Sequence, residues 1–354
     1  MQRSLHLKML IRRVIAAVTR AIRVPDLLEH FRGPSWRIIT YHRIINPEQS
    51  PYPLQPGMYV RPETFDMQMK FLLKNSDVLP LDELLENIID GKALPRRSVA
   101  ITFDDGWVDN YTNAFPVLLA RKLPVTIFLP TAFVGTGECF WTDRVARAIY
   151  GLRREKKYIQ SACARLEEDV ELSSEVADEL ISLLSLSDVE NLQDAFDACI
   201  EHLKPLPFQE RNNAVVHLER LAKEFCALDG GRSFCTWAEI QEMAHHGVTF
   251  GSHSHHHYNL THLTEAQLRD EVDNSYHILR SHGLPISKVF CYPGGHFDDM
   301  TQKVLADRSV LYALSNEYGT DFEELPLLFG RIGIHEDISC TPSLFAFRLW
   351  VQHV

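Results

Sequence analysis

Apolar positions along this chain recur in two rhythms, and the places where one gives way to the other outline a fold. Trp36-Arg37-Ile38-Ile39-Thr40-Tyr41 is an apolar, β-branched run of strand length that ends at His42. Pro62 to Leu73 carries Phe65, Met69, Phe71 and Leu72 at helical spacing, and Leu81 to Ile89 repeats that pattern. The next strand, Ser98 to Phe103, stops at Asp104-Asp105-Gly106. A helix from Asn110 to Arg121 and a strand from Val125 to Leu129 follow, closed by a turn at Pro130-Thr131. Strands taking turns with helices predict a mostly parallel sheet with helical crossovers. From Thr142 to Gly231 the rhythm becomes charged and helical, without convincing strands. Strand signals return at Val248–Ser252, Lys288–Tyr292, Val310–Leu314 and Leu327–Ile334, with helices at Leu263–Leu279 and Met300–Ala306 between them. The simplest assembly is an α/β barrel, residues 33–141 and 232–354, interrupted by a helical insertion at 142–231.

Composition changes this picture in three places. A formal net charge of −11 argues against a nucleic-acid partner, since neutralising phosphates requires a basic surface or stripe. The seven cysteines are scattered without a C-x-x-C pair, which favours a reducing compartment over a disulfide framework or a thiolate zinc site. The first 32 residues differ from the rest: Arg3, Lys8, Arg12, Arg13, Arg20 and Arg23 sit among Leu7, Leu10, Ile11, Val14, Val18 and Ile22. That spacing predicts a basic amphipathic helix. Arg12 and Arg13 break the apolar run, leaving it too short for a membrane span and unlike the centre of an export signal. Two fates are open to it: packing on the domain with its charges in water, or a peripheral contact of residues 1–30 with an anionic membrane surface. The expected location is cytoplasmic, membrane-associated in the second case.

Placed on the predicted elements, His42, Asp104-Asp105, Thr131, His253, Pro293-Gly294-Gly295 and His335 all fall just past the carboxyl ends of strands. In a β/α barrel those ends share one face, where active sites are built. Two adjacent carboxylates at a strand end repel unless a positive group lies near, and a divalent cation resolves the conflict: one carboxylate ligates while the other stays free to accept a proton. The competing reading is a solvated turn or helix cap. In Gly251-Ser252-His253-Ser254-His255-His256-His257, a helical turn would bring His253 and His257 together, whereas an extended chain would align His253, His255 and His257. Spacing does not choose between them. Asp plus two His leaves coordination positions open for water and substrate, as a catalytic metal site requires.

These motifs, Thr102-Phe103-Asp104-Asp105-Gly106, His253-Ser254-x-x-His257 and Phe290-Cys291-Tyr292-Pro293-Gly294-Gly295, resemble those of the polysaccharide deacetylase family of carbohydrate esterases, whose catalytic domain is NodB-like and folds as a distorted (β/α) barrel. Tyr41-His42-Arg43, Phe140-Trp141-Thr142-Asp143, Thr236-Trp237 and Gly330-Arg331-Ile332 add smaller agreements. The resemblance implies metal-dependent hydrolysis of N-acetyl, less readily O-acetyl, groups on a glycan. It makes Asp104 the general base, and Asp105, His253 and His257 the ligands of a divalent ion of the zinc type. Ser254 would orient the histidine turn, and the backbone N–H near Gly294 would help hold the oxyanion. Tyr41, Tyr292 and Trp237 are candidate platforms for sugar rings.

Two departures stand out. Many members carry Arg two residues before the motif's proline, pairing with the base; this chain has Cys291 there, and Gly294 where a related branch keeps Tyr. Arg331 is the expected substitute cation for Asp104. The general acid of the family sits in a Leu-x-His motif; here the stretch reads Gly333-Ile334-His335, so His335 is the expected acid, with His42 as its alternate. Thr142 or Asp143 fits a helix N-cap opening the insertion. The same site chemistry would serve an amidase acting on a small non-sugar amide, and the departures would equally suit a glycan-binding protein with impaired catalysis.

Overall fold

The computed structural model describes residues 2–21, 35–168, 173–186, 192–206, 208–226, 231–316, 320–321 and 326–351. They form two compact units: Met1–Asn46, Pro56–Thr136 and Phe234–Val354 make the first, Pro47–Gln55 and Gly137–Ser233 the second. The strands are β1 (Trp36–Tyr41), β2 (Arg43–Ile44), β3 (Tyr59–Val60), β4 (Asp77–Val78), β5 (Ser98–Asp104), β6 (Thr126–Leu129), β7 (Thr249–Ser252), β8 (Ile286–Cys291), β9 (Tyr312–Ser315), β10 (Thr320–Asp321), β11 (Leu327–Gly330) and β12 (Ile332–Gly333). The large sheet runs β10-β11-β9-β8-β7-β6-β5-β1-β12, with β4 beside β5. Every pairing in it is parallel except that of β10 with β11.

The ends of this sheet meet through one continuous segment. β11 pairs with β9 and β12 pairs with β1, and only Arg331 separates β11 from β12. The result is a distorted (β/α) barrel, closed at a seam that Arg331 occupies.

Strand alternation sorts the side chains. Ile38, Ala100, Phe128, Val289, Cys291, Leu314 and Phe329 form one buried cluster inside the barrel, completed by Leu81, Leu84 and Leu85 of the helix Leu81–Ile89. The intervening residues point outward under the helical layer. Tyr41, Phe103, Ile127 and Phe250 pack with Phe65, Met69, Leu118, Ile240 and Phe345. Phe290, Tyr292, Ala313 and Leu328 pack with Leu268, Val272, Val304 and Leu305. This parity corrects two expectations. Tyr41 and Tyr292 are 0% exposed and lie on the outward side of their strands, so they serve the core and not a sugar ring.

The second unit has its own core. The helices Trp141–Arg154, Ile159–Glu167, Ser174–Ser185, Leu192–Leu203 and Phe208–Phe225 bury Ile149, Leu152, Leu180, Leu184, Ile200 and Leu218. Tyr52 joins this core, and its hydroxyl donates to Asp143 Oδ1 at 2.5 Å. Asp143 is therefore an acceptor for Tyr52 rather than an N-cap; the cap position is Phe140, without a side-chain bond.

Two barrel helices escaped the periodicity reading, Trp237–His245 and Pro342–Trp350. The first is announced by a reciprocal capping box between Thr236 and Glu239. The N-terminal helix is present over Gln2–Ala21; residues 22–32 of its expected span lie outside the described residues. Among the described residues, no helix is long and apolar enough to cross a membrane.

Gly251 lies in a tightly packed part of the barrel wall. A Cβ there would lie 2.5 Å from Phe128 Cδ1 and 3.2 Å from the Val289 carbonyl oxygen, and Phe128 is fully enclosed. Gly251→Ala is expected to cost about 1–3 kcal/mol by overpacking, read as a lowered urea midpoint with an unchanged m-value.

Candidate metal and catalytic site

The Asp-Asp pair sits where β5 ends, and the backbone turns sharply there: Asp105 has φ 74° and Gly106 φ 65°. Asp104 still belongs to the strand and points into the barrel. The turn re-aims Asp105, so the adjacent carboxylates diverge into different environments.

Asp104 meets Arg331 at the seam. Arg331 Nη1 donates to Asp104 Oδ1 at 2.7 Å and Nη2 donates to Oδ2 at 2.8 Å, a two-pronged pairing of side chains 2% and 0% exposed. The guanidinium also donates to Thr40 Oγ1 at 3.1 Å and to Asn316 Oδ1 at 2.9 Å. Burial alone would push the Asp104 carboxyl up, but Arg331, with His253 and His42, holds it well below the usual carboxylate range. The same burial works against the charge on Arg331, and Asp104 more than restores it. Cys291 Sγ lies 3.7 Å from Asp104 Oδ1. Burial pushes its thiol well above the ordinary cysteine range, and Asp104, His253 and Cys291 make a second group whose donor atoms lie within 4.8 Å of one another. His42 Nε2 approaches Asp104 Oδ2 at 3.8 Å, and its side chain is 23% exposed.

Asp105 faces the histidines. Its Oδ2 accepts a hydrogen bond from Trp107 Nε1 at 2.9 Å, while Oδ1 is buried without a hydrogen-bond partner. His253 Nε2 and His257 Nε2 stand 3.6 and 3.3 Å from that oxygen. One ligand atom from each of the three residues lies within 4.8 Å of the others. His253 Nδ1 is 2.8 Å from the Cys291 carbonyl, which requires the proton on Nδ1 and leaves Nε2 with its lone pair toward Asp105. Burial drives both imidazoles down to about 4, an effect firmer for His253, 3% exposed, than for His257, 25% exposed. Both rings are neutral at pH 7, as ligation requires. Burial also raises the Asp105 carboxyl, with His42 and His253 opposing. An orphaned buried carboxylate oxygen facing two neutral imidazoles fits a divalent cation of the zinc type.

The histidine segment is neither helical nor extended. Ser254 and His257 both adopt left-handed backbone, φ 63° and 57°, and these two reversals fold the segment so that His253 and His257 converge. Such conformations are unfavourable for residues with a Cβ and persist only when the surroundings hold them. Ser254 Oγ accepts from the His257 N–H at 3.0 Å, and Ser252 Oγ accepts from the Ser254 N–H at 3.2 Å. Glu271, 5% exposed on the helix Glu265–Ser281, accepts from the His255 N–H at 2.9 Å and the His256 N–H at 2.7 Å. Its other oxygen is 2.6 Å from His256 Nδ1. Burial would raise this carboxyl, but His256 and His255 hold it below the ordinary glutamate value.

His335 and Gly294 are less engaged. His335 Nδ1 pairs with Asp337 Oδ1 at 2.7 Å, not with a residue of the Asp104–Asp105 group. Gly294 is exposed in a left-handed turn, φ 66°. Trp107, Asn316 and Glu271 went unread in the sequence. Glu271 had a signal, an acid on the apolar stripe of Leu268, Val272, Tyr276 and Leu279; Trp107 and Asn316 had none.

Comparison with known proteins bears on the family and the fold. The family model described as polysaccharide deacetylase matches residues 91–163 and 211–312. An 85-residue stretch is 42% identical to the poly-beta-1,6-N-acetyl-D-glucosamine N-deacetylase of Staphylococcus aureus, covering 23% of this chain and 29% of that protein. The match thus spans less than a third of the curated relative's length. Among solved structures, the Streptococcus pyogenes deacetylase PplD in complex with acetate superimposes with a TM-score of 0.54 at 16% identity, covering 89% of this chain and 99% of that one. IcaB from Ammonifex degensii gives a TM-score of 0.52 at 18% identity, covering 90% and 98%. At such identities the likeness to these two is one of fold. The chain belongs to the polysaccharide deacetylase family.

Two outcomes test the site. Arg331→Leu leaves Asp104 buried without its cation and is expected to lose about 3–5 kcal/mol of stability at pH 7. Asp104, depressed in the wild type and raised by burial in the variant, then takes up a proton more readily in the variant as pH falls. The gap in urea stability should therefore narrow between pH 7 and pH 4.5; a gap independent of pH contradicts the pairing. If Asp105, His253 and His257 hold a divalent ion, Glu271→Gln is expected to weaken its binding by roughly 10- to 100-fold in isothermal titration, because the histidine segment loses its anionic anchor.

Proposed function

We propose that this chain hydrolyses N-acetyl groups from a polymeric, N-acetylglucosamine-type glycan, and does so with a divalent metal ion, zinc being the first candidate. One observation carries the reading: the buried, orphaned Asp105 Oδ1 within 3.6 Å of the Nε2 atoms of two neutral imidazoles, beside a second carboxylate that is ionised and held by Arg331. The Staphylococcus aureus relative, a poly-beta-1,6-N-acetyl-D-glucosamine N-deacetylase, supports the glycan class.

Asp105, His253 and His257 would hold the ion, which on binding would polarise the scissile carbonyl and acidify the attacking water. Asp104 takes the proton from that water. Arg331 keeps this carboxylate charged in a buried setting at some cost in basicity, which is tolerable against an acidified water. The two prongs of the guanidinium also prevent rotation of the carboxylate, so a lone pair stays aimed at the cleft. The backbone N–H at Gly294 is a donor for the developing oxyanion. For the proton delivered to the departing amine the candidates are His335, paired with Asp337, and His42, which lies 3.8 Å from Asp104.

The test is acetate release from β-1,6- and β-1,4-linked N-acetylglucosamine oligomers, with and without chelator. Asp104→Asn is expected to lower turnover by about 10²–10⁴-fold while zinc content stays at the wild-type level. Wild-type acetate release by Asp104→Asn, or full release from protein shown to be metal-free, would sink the reading. A small aryl ester, whose leaving group needs no proton, assigns the acid: the true acid variant, His42→Ala or His335→Ala, recovers rate on it selectively.

A further inference from the structure

The N-terminal helix presents its apolar stripe the wrong way round for a helix that serves a protein core. Ile11, Val14, Ile15 and Val18 follow the i, i+3, i+4, i+7 spacing of a single helical face, and they are 49%, 55%, 46% and 51% exposed. The docked side is different. Ala16 is 0% exposed and lies about 150° around the helix from the centre of that stripe. Arg20, on the same docked side, reaches Ser343 Oγ at 3.5 Å and sits 5.7 Å from the Phe71 ring. The helix thus leans on the helix Pro342–Trp350 through a small residue and a cation, and gives its four branched aliphatic side chains to solvent. Elsewhere among the described residues, the large exposed hydrophobics are single positions on separate segments; here four share one helical face.

Charge decides between occupants of that patch. The first 25 residues hold Arg3, Lys8, Arg12, Arg13, Arg20 and Arg23 and no Asp or Glu, in a chain of formal net charge −11. An amphipathic helix with a cationic flank and an aliphatic stripe matches a surface that is apolar beneath a layer of negative headgroups. We propose that the helix Gln2–Ala21 seats this protein on the surface of an anionic lipid bilayer, with Ile11, Val14, Ile15 and Val18 inserted at the headgroup boundary. The proposal is independent of the deacetylase reading.

The test uses the full chain and vesicles of phosphatidylcholine, alone or mixed with phosphatidylglycerol. Co-sedimentation with the mixed vesicles is expected, falling as salt is raised. Val14→Asp combined with Ile15→Asp should lower the bound fraction at least about tenfold. Because both positions face outward, the variant's thermal unfolding should match the wild type. Arg12→Gln combined with Arg13→Gln keeps the stripe intact and should also weaken binding about tenfold or more. Failure of the wild type to co-sediment overturns the proposal, as does equal binding to pure phosphatidylcholine or undiminished binding by the Asp variant. Vesicle-free self-association that the Asp variant abolishes overturns it in favour of a second copy of the chain.

Discussion

The buried ion pair between Asp104 and Arg331 is the constraint on which the centre of this protein depends. Two charged side chains taken almost wholly out of water are costly unless each finds its full complement of partners. Here Nη1 and Nη2 of the guanidinium have two carboxylate oxygens, a threonine hydroxyl and an asparagine carbonyl, drawn from β5, β1 and the segment after β9, while Nε is buried without a hydrogen-bond partner. The pair therefore does more than stabilise a carboxylate. It joins elements from opposite ends of the sheet at the point where β11 gives way to β12. The cation comes from the junction of β11 and β12, and Cys291 on β8 stands beside the same carboxylate as a neutral thiol.

Around that pair the chain accepts backbone strain wherever a side chain must be aimed. Asp105, Ser254 and His257 all take left-handed conformations that a Cβ disfavours. Each is held by short-range bonds: the Trp107 indole on Asp105, and the Ser252, Ser254 and Glu271 oxygens on the histidine segment. The strain is local, and the rigid barrel wall beneath carries it. Glu271 matters most here because it reaches in from a helix and ties the segment to the outer layer.

The barrel was legible in the sequence because its strands are short and bounded by turns, and because the strand-end polar residues lie at regular points along the alternation. The same period of two, applied one step further, would have placed Tyr41 and Tyr292 in the outer layer, since Cys291 and Tyr292 cannot both face inward. The fold of the histidine segment was beyond reach: spacing distinguishes helix from strand, and this backbone is neither. Arg331 was legible only as an answer to a missing cation, and Asn316 not at all, because nothing in a lone asparagine after a strand announces which guanidinium it will meet. The part played by Pro47–Gln55 in the second unit was equally hidden, a nine-residue stretch whose Tyr52 finds its hydrogen-bond partner 91 positions away.

The seam also imposes an order of events. β1 and β12 pair across nearly the whole chain, so this closure carries the largest separation in sequence of any strand contact in the sheet. Asp104, Asp105, His253 and His257 all precede the closing segment, and so does the wall that positions them. A ribosome-bound chain that has emerged only as far as β9 contains Asp104 but not Arg331, the cation that pairs with it. Closure of the sheet and compensation of its buried carboxylate thus arrive together, in a single guanidinium.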